Sequence, residues 1–175
     1  MQGGLSMTKL GTFFYDVTNR ASLWLMKHKI LYYILACTWG CIMTIIGCLV
    51  SLVLIMFKKK PKRYKGIWYF NVGKAWGGVE LGLCFLTDSY DSKHTKDHET
   101  GHTFQNALYG PFFLLIAAAS AARYWQRVFL EHMYNKHKFD PESKWCKRYL
   151  NLPDYDAIWF EGSATYIGEH YNPSK

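Results

Sequence analysis

The stretch that decides how this chain folds is His98-Glu99-Thr100-Gly101-His102. On an α-helix, residues four positions apart lie one above the other, so His98 and His102 can each offer an imidazole nitrogen to one metal ion. Neutral imidazole suits Zn²⁺, and zinc lowers the pKa of its bound water to about 7. Glu99 lies beside that face, where a carboxylate can take a proton from such a water. The pattern therefore predicts a helix that carries half of a zinc site; the alternative is a surface helix with two unligated histidines.

A third ligand is expected further along the chain, because a catalytic zinc site usually has three protein ligands and a water. Glu161 is the lone carboxylate of an apolar, small-residue segment, residues 158–166 (IWFEGSATY). Burial of this carboxylate without a partner would be costly, and a cation is the obvious partner. The alternative is a solvent-facing glutamate at the start of a short helix.

With these two motifs the chain resembles the gluzincins, metallopeptidases that carry H-E-x-x-H on one helix and a downstream glutamate on another. The segment W-x-E-G-x-A-x-Y, which begins at Trp159, looks like their glutamate helix. The H-E-x-G-H form, with an apolar segment close behind, is similar to membrane-embedded gluzincins of the HtpX type. The resemblance implies that His98, His102 and Glu161 are zinc ligands and that Glu99 is the general base.

The resemblance also implies that the strand over residues 79–85 is the edge strand that binds an extended peptide or protein substrate. Gln105 lies on the same helix face as His98 and can hydrogen-bond a ligand or a substrate carbonyl; a helix-surface glutamine with no role is the alternative. Tyr166 and His170 are further candidates for contacts with ligands or substrate. The residue that would stabilise the oxyanion is left open among His132, His137, Tyr155, Tyr166 and His170.

A membrane anchor is predicted before these motifs. Residues 30–57 contain no charge, and this run exceeds the roughly 20 apolar residues that a spanning helix needs. A cleaved signal peptide would have a shorter apolar core and a small-residue cleavage site. A basic block follows the run, and the positive-inside rule then places the rest of the protein in the cytoplasm. The block consists of Lys58, Lys59, Lys60, Lys62, Arg63 and Lys65.

Charge and cysteine content narrow the class of protein further. The formal net charge is +8, but the basic block directly follows the apolar run, and this placement suits contact with anionic lipid headgroups. No nucleic-acid-binding motif accompanies the block, so we expect membrane lipids as partners and no nucleic acid. The five cysteines form no C-x-x-C pair, which does not resemble a secreted disulfide framework and indicates a reducing compartment.

The expected fold is α+β: one N-terminal transmembrane helix, then a small zincin-like domain of a β-hairpin, the motif helix, an apolar helix and a glutamate helix. The predicted boundaries are 1–29 for an N-terminal segment, 30–57 for the anchor, 58–66 for a basic linker and 67–175 for the zincin-like domain. Residues 10–25 are apolar at helical spacing and form either an amphipathic helix on the membrane surface or an ordinary packing helix.

Details of the zincin-like domain also follow from the sequence. We expect a hairpin over residues 67–86, a motif helix capped by Thr95 or Asp97 that ends at Tyr109, and a short helix over residues 157–168. The apolar residues 107–122 fall short of a comfortable span. If they crossed the bilayer once, Glu161 would be stranded on the far side from His98, so we expect a single-pass protein.

Three functions remain open from the sequence. The first is a membrane-anchored zinc metallohydrolase that acts on peptides. The second is a membrane protein that keeps a metal site for structure or partner binding without turnover. The third is a basic membrane adaptor in which the histidine motif is accidental.

Overall fold

The computed structural model describes residues 7–140 and 142–173, so the first six residues of the predicted N-terminal segment lie outside the described residues. The fold is α+β, with a small sheet among helices, as expected from the sequence. The elements in chain order are α1 (Lys9–Met26), α2 (Lys29–Thr38), α3 (Cys41–Met56), β1 (Lys62–Tyr64), β2 (Ile67–Asn71), β3 (Gly78–Leu81), β4 (Cys84–Thr87), α4 (Lys93–Tyr109), α5 (Phe113–His137), α6 (Lys144–Leu150) and α7 (Trp159–His170). Short 3₁₀ turns precede α5 (Gly110–Phe112) and α7 (Tyr155–Ala157).

The long apolar run is bent. Residues 30–57 do not form the one continuous helix that was predicted: α2 and α3 meet at an angle of 85°. The end of α4 fits into this bend, where Trp39 Nε1 donates a hydrogen bond to the Leu108 carbonyl at 3.2 Å. A Cβ atom at Gly40 would lie only 2.9 Å from Asn106 Nδ2, so the close approach needs glycine. By length and composition the bent pair counts as one broken span or a re-entrant loop, and the membrane anchor stays a prediction.

A second helical stretch, Lys93–His137, is also long and apolar enough to cross a membrane by length and composition. It comprises α4, the turn at Gly110 and α5. After α5 the chain turns back: Cys146 of α6 lies against the His137 carbonyl, and Arg123 of α5 binds the carbonyls of Pro153 and Asp154. This return segment carries several charged side chains, which do not suit a bilayer interior, and the prediction that residues 107–122 do not span stays a prediction.

The sheet has the order β1-β2-β4-β3 and differs from the predicted hairpin over residues 67–86. β2 pairs in parallel with β4. The antiparallel hairpin is shorter than predicted and consists of β3 and β4, residues 78–87. The predicted second strand splits because Gly82 has a positive φ of 75° and lies against the backbone of Thr44 in α3, with no room for a Cβ. The split leaves β3 at the sheet edge, beside α4.

The motif helix α4 ends at Tyr109 as predicted, but neither Thr95 nor Asp97 caps its first turn. Ser92 is the N-cap, since its Oγ accepts a hydrogen bond from the Thr95 amide at 3.0 Å. Asp97 instead forms ion pairs with Lys65 at 2.7 Å and Lys93 at 2.5 Å. The pair with Lys65 ties the turn between β1 and β2 to the first turns of α4.

α4 and α7 cross at very short range. A Cβ at Gly101 would overlap the carbonyl oxygen of Ala164, and a Cβ at Gly168 would overlap the carbonyl oxygen of Asp97. Backbone therefore touches backbone at two points along the crossing. The small residues of the glutamate segment permit this approach, which fixes the depth at which α7 places Glu161.

α1 packs on α7 with a polar face and leaves an apolar face exposed. Its buried residues include Thr18, Asn19 and Ser22, and Asn19 Oδ1 accepts a hydrogen bond from Ser163 Oγ at 2.6 Å. The exposed apolar side chains of α1 are Leu10, Phe13, Phe14, Val17 and Trp24. α1 thus packs on the domain and also presents an apolar surface, so both roles considered for this segment are compatible with its position.

We predict that Gly101→Ala lowers the free energy of unfolding by about 1–3 kcal/mol, because the added methyl group forces two backbones apart. The measurement is urea denaturation of the full chain in detergent, followed by circular dichroism. Gly11→Ala in α1 is the matched control, since its added Cβ meets only side-chain atoms, the nearest being Thr8 Oγ1 at 3.3 Å. Equal unfolding free energies for the two variants would contradict the role of the crossing.

Candidate metal centre

Two helices bring the three predicted ligands together. His98 and His102 lie one turn apart on α4, and their Nε2 atoms are 3.1 Å apart. Glu161 Oε2, from α7, lies 3.1 Å from His98 Nε2 and 3.4 Å from His102 Nε2. All three residues are buried, and they form the one group in the described part of the chain with the ligand types and spacing for a metal ion. The predicted ligand set can therefore hold a metal.

A hydrogen-bond chain fixes the tautomer of His102. Gln105 Nε2 donates to the Phe160 carbonyl at 2.7 Å, so the Oε1 atom of this amide faces His102 Nδ1 at 2.8 Å. An amide oxygen can only accept, and Nδ1 must therefore carry the proton. The neutral ring then presents an unprotonated Nε2 to the centre. Gln105 thus contacts a ligand, as the sequence suggested, and also joins α4 to α7.

His98 is oriented in a similar way from the opposite side. Its Nδ1 lies 2.8 Å from Thr165 Oγ1, and that hydroxyl donates to Asp156 Oδ2 at 3.2 Å. Because the hydroxyl proton is used on Asp156, the oxygen accepts from Nδ1–H of His98. The Nε2 atom of neutral His98 is therefore also unprotonated. Partners of this kind orient ligating histidines and raise their basicity.

When both rings are neutral, three lone pairs thus converge with no proton between them. Neither carboxylate oxygen of Glu161 has a hydrogen-bond partner within the described residues, although the side chain is fully buried. Unpaired buried acceptors that face one another are costly, and a cation at their centre satisfies all three. Two imidazoles and one carboxylate form a donor set typical of catalytic zinc, which keeps a further position for water.

The ionisation of Glu161 agrees with this arrangement. Burial by itself would raise the pKa of the carboxyl group. Protonated imidazoles, His102 first and then His98, outweigh burial and hold the pKa of Glu161 well below its ordinary range, and a metal cation in place of those protons would act in the same direction. The side chain is therefore an anion when positive charge collects beside it.

Glu99 lies in a cleft between α4 and the edge strand β3. It is buried, and a Cβ at Gly78 would lie 2.6 Å from its Oε1, so glycine leaves the space that the carboxylate occupies. The cleft has a volume of about 200 Å³ and is bounded by Gly78, Val79 and Glu80 of β3, by both histidines, and by α5. The strand that was predicted to bind substrate therefore borders the candidate metal centre. As β3 it is shorter than the predicted residues 79–85.

Tyr155 is the one member of the five oxyanion candidates that borders this cleft. Its ring centroid lies 6.0 Å from that of His98. Arg123 of α5, which is buried, holds the preceding carbonyls of Pro153 and Asp154 and so fixes the position of this tyrosine. Burial, and next the charge of Glu161, raise the pKa of the Tyr155 hydroxyl far above its ordinary value, so the group remains a proton donor.

The other candidates lie elsewhere. Tyr166 and His170 stack on each other with centroids 4.0 Å apart and do not border the cleft, so neither of these two predicted residues is placed at the centre. His132 is exposed on α5, and His137 lies at the end of α5 against Cys146.

Sequence reasoning missed several residues of the site. Glu80 is buried on β3, and its Oε2 has no hydrogen-bond partner in the part of the chain that is described. A lone carboxylate in an apolar strand is the same signal that identified Glu161, and it was available in the sequence. Thr165, Asp156 and Arg123 gave no such signal, because their roles depend on contacts between distant segments.

Comparisons with models of protein families, with curated proteins and with solved structures give no match to this chain. Conclusions about the centre therefore rest on its geometry.

We predict that Glu80→Gln removes a pH dependence of stability. Burial raises the pKa of Glu80 well above its ordinary value, and the charge of Glu99 adds to this, while His102 and the Gly82 amide oppose it. The folded chain then keeps a proton that the unfolded chain releases, so wild-type stability falls as pH rises above the ordinary carboxyl pKa. Glutamine does not titrate and lacks this fall.

The measurement is the free energy of unfolding in detergent at pH 5 and pH 8. Glu80→Gln should gain stability relative to wild type as pH increases, whereas Glu169→Gln, a change at an exposed glutamate of α7, should follow wild type. A wild-type minus Glu80→Gln difference that is independent of pH would contradict the prediction.

Proposed function

We propose that this chain is a membrane-anchored zinc metallohydrolase that cleaves peptide bonds at the cytoplasmic surface. The observation that carries the proposal is the convergence of two imidazole nitrogens and a carboxylate oxygen beside a buried carboxylate, Glu99, that is not one of the three. A metal site with a purely structural role has no need of a free carboxylate in an adjoining cleft.

The donor set alone also suits Fe²⁺, since two histidines and one carboxylate ligate iron in many oxygenases. Two features favour zinc and hydrolysis. The ligand pair and Glu99 follow the H-E-x-x-H order, in which the glutamate acts as the general base beside the metal. The cleft also borders a sheet edge, which suits an extended peptide.

In the proposed reaction the residues have distinct tasks. A bound zinc ion would polarise the scissile carbonyl and acidify a water molecule. Glu99 takes a proton from the attacking water and delivers it to the leaving amine. Tyr155 donates a hydrogen bond to the carbonyl oxygen as negative charge develops on it. β3 pairs with the substrate backbone and keeps the scissile bond between these groups.

Exposed apolar surfaces support the membrane location. α3 exposes Leu49, Leu52, Ile55 and Met56, and Met56 has 81% of its surface accessible. α1, the turn before α5 and the first half of α5 expose further large apolar side chains, among them Phe13, Phe112 and Leu115. So many large apolar side chains are rarely left in water. The basic residues that follow α3 favour the cytoplasmic side for the metal centre.

We predict about one zinc per purified chain and a loss of zinc affinity of at least about tenfold in Glu161→Ala, since one of three protein ligands is removed. Elemental analysis gives the stoichiometry, and competition with a chelating dye gives the affinity. Glu169→Ala, on the exposed face of the same helix, should retain wild-type affinity.

Two results would contradict this assignment. Zinc stoichiometry that survives both Glu161→Ala and His102→Ala would place the metal elsewhere. Iron in place of zinc in protein purified without added metal would argue for the oxygenase donor set.

We predict that Glu99→Gln lowers the rate of peptide cleavage by about 10² or more while zinc occupancy stays near that of wild type. Glutamine preserves the size of the side chain but cannot accept the proton, and the three ligands are unchanged. A peptide library in detergent with detection by mass spectrometry measures the cleavage. Glu131→Gln, at an exposed position of α5, is the control for the change in charge.

Undiminished cleavage by Glu99→Gln would show that Glu99 is not the general base. A zinc-loaded wild-type chain that cleaves no member of the library would favour a structural or partner-binding metal site.

A further inference from the structure

A second cavity lies apart from the metal centre. It occupies about 520 Å³ between α3 and the sheet, and it shares no lining residue with the cleft at Glu99. The lining includes Cys48, Leu52 and Ile55 of α3, Trp68 of β2, Leu83 and Pro61. We call this cavity the α3 groove.

The lining of the α3 groove is almost wholly apolar. The two hydroxyl side chains that α3 contributes have partners elsewhere: Ser51 Oγ lies 3.4 Å from Cys84 Sγ, and Thr44 Oγ1 donates to the Ala36 carbonyl at 2.7 Å. Trp68, which lines the α3 groove, has 46% of its surface accessible. The groove offers no directed hydrogen bonds and suits a ligand that is a flexible hydrocarbon.

One end of the groove carries positive charge. Two residues after the end of α3, Lys58 has a positive φ of 59°, and the chain then turns so that Pro61 borders the groove. The side chains of Lys58, Lys59 and Lys60 make no ion pair or hydrogen bond within the described residues, whereas Lys62 pairs with Asp91. Three unpaired cations thus lie near one end of the apolar α3 groove. This arrangement matches a lipid whose acyl chain is attached to an anionic headgroup.

We propose that the α3 groove binds one anionic phospholipid of the bilayer, with an acyl chain between α3 and the sheet and the phosphate beside Lys58, Lys59 and Lys60. The groove opens along the side of α3 that exposes Leu52 and Ile55, so a chain can enter sideways from the surrounding lipid. The bound lipid would hold the sheet, and with it β3, against the membrane-facing helices. This binding does not require the metal centre to be active.

The first test counts lipids on the full chain in uncharged detergent by native mass spectrometry, after incubation with phosphatidylglycerol or phosphatidylcholine. Wild type should retain about one phosphatidylglycerol. Cys48→Phe fills the groove from its exposed side and should lower retention at least about tenfold. Cys37→Phe, at an exposed cysteine of α2 outside the groove, should behave as wild type. Equal retention in the two variants, with equal zinc content as the measure of folding, would overturn the proposal.

The second test concerns the headgroup. The triple change of Lys58, Lys59 and Lys60 to glutamine should remove the preference for phosphatidylglycerol over phosphatidylcholine. The same change at Lys136, Lys138 and Lys144 alters the net charge equally and should keep the preference. Equal loss in both triple variants would show that overall charge, not this site, attracts the lipid.

The third test places the acyl chain. A phospholipid with brominated chains should quench the fluorescence of Trp68, seen as a quenched component that disappears in Trp68→Phe. Identical quenching in wild type and Trp68→Phe would overturn the proposed position. A concentration-dependent dimer that Cys48→Phe abolishes, with no bound lipid, would instead identify the groove as an interface between copies of the chain.

Discussion

The close crossing of α4 and α7 is the constraint on which the rest of the structure depends. A hydrogen atom is the largest side chain that fits at Gly101 and Gly168, since the partner carbonyl lies where a Cβ would be. This contact sets how far Glu161 reaches toward the two histidines. Gln105 and Thr165 then bridge the same two helices, bind Nδ1 of the two histidines and so turn both Nε2 atoms toward Glu161. Orientation of the ligands therefore follows from backbone packing.

The sequence predicted the parts of the site that lie within short segments. His98 and His102 follow from helical spacing, and Glu161 follows from the cost of burying a lone carboxylate, so the ligand set was accessible without coordinates. Tyr155 could only be one candidate among five, because its position depends on how Arg123 holds a loop some thirty residues away. Tyr166 and His170 share the glutamate helix but lie on another side of it.

The fold was less predictable where distant segments decide the local structure. The uncharged run at residues 30–57 has the composition of one helix, yet Asn106 and Leu108 fit into a bend at Gly40. The run at residues 79–86 alternates like one strand, yet Thr44 packs against Gly82 and splits it. In both cases a glycine permitted the change, and a contact from far along the chain required it. The sequence shows the glycine, but it does not show the distant contact.

The pairing of the two ends of the chain has a consequence for biosynthesis. Asn19 of α1 bonds to Ser163 of α7 across 144 residues, and Lys29 bonds to the Pro173 carbonyl across an equal separation. A ribosome releases the histidine pair well before it makes the helix that carries Glu161. The metal centre therefore lacks its third predicted ligand until α7 has been synthesised. The proposed hydrolase would have no finished centre with which to attack nascent chains before that point.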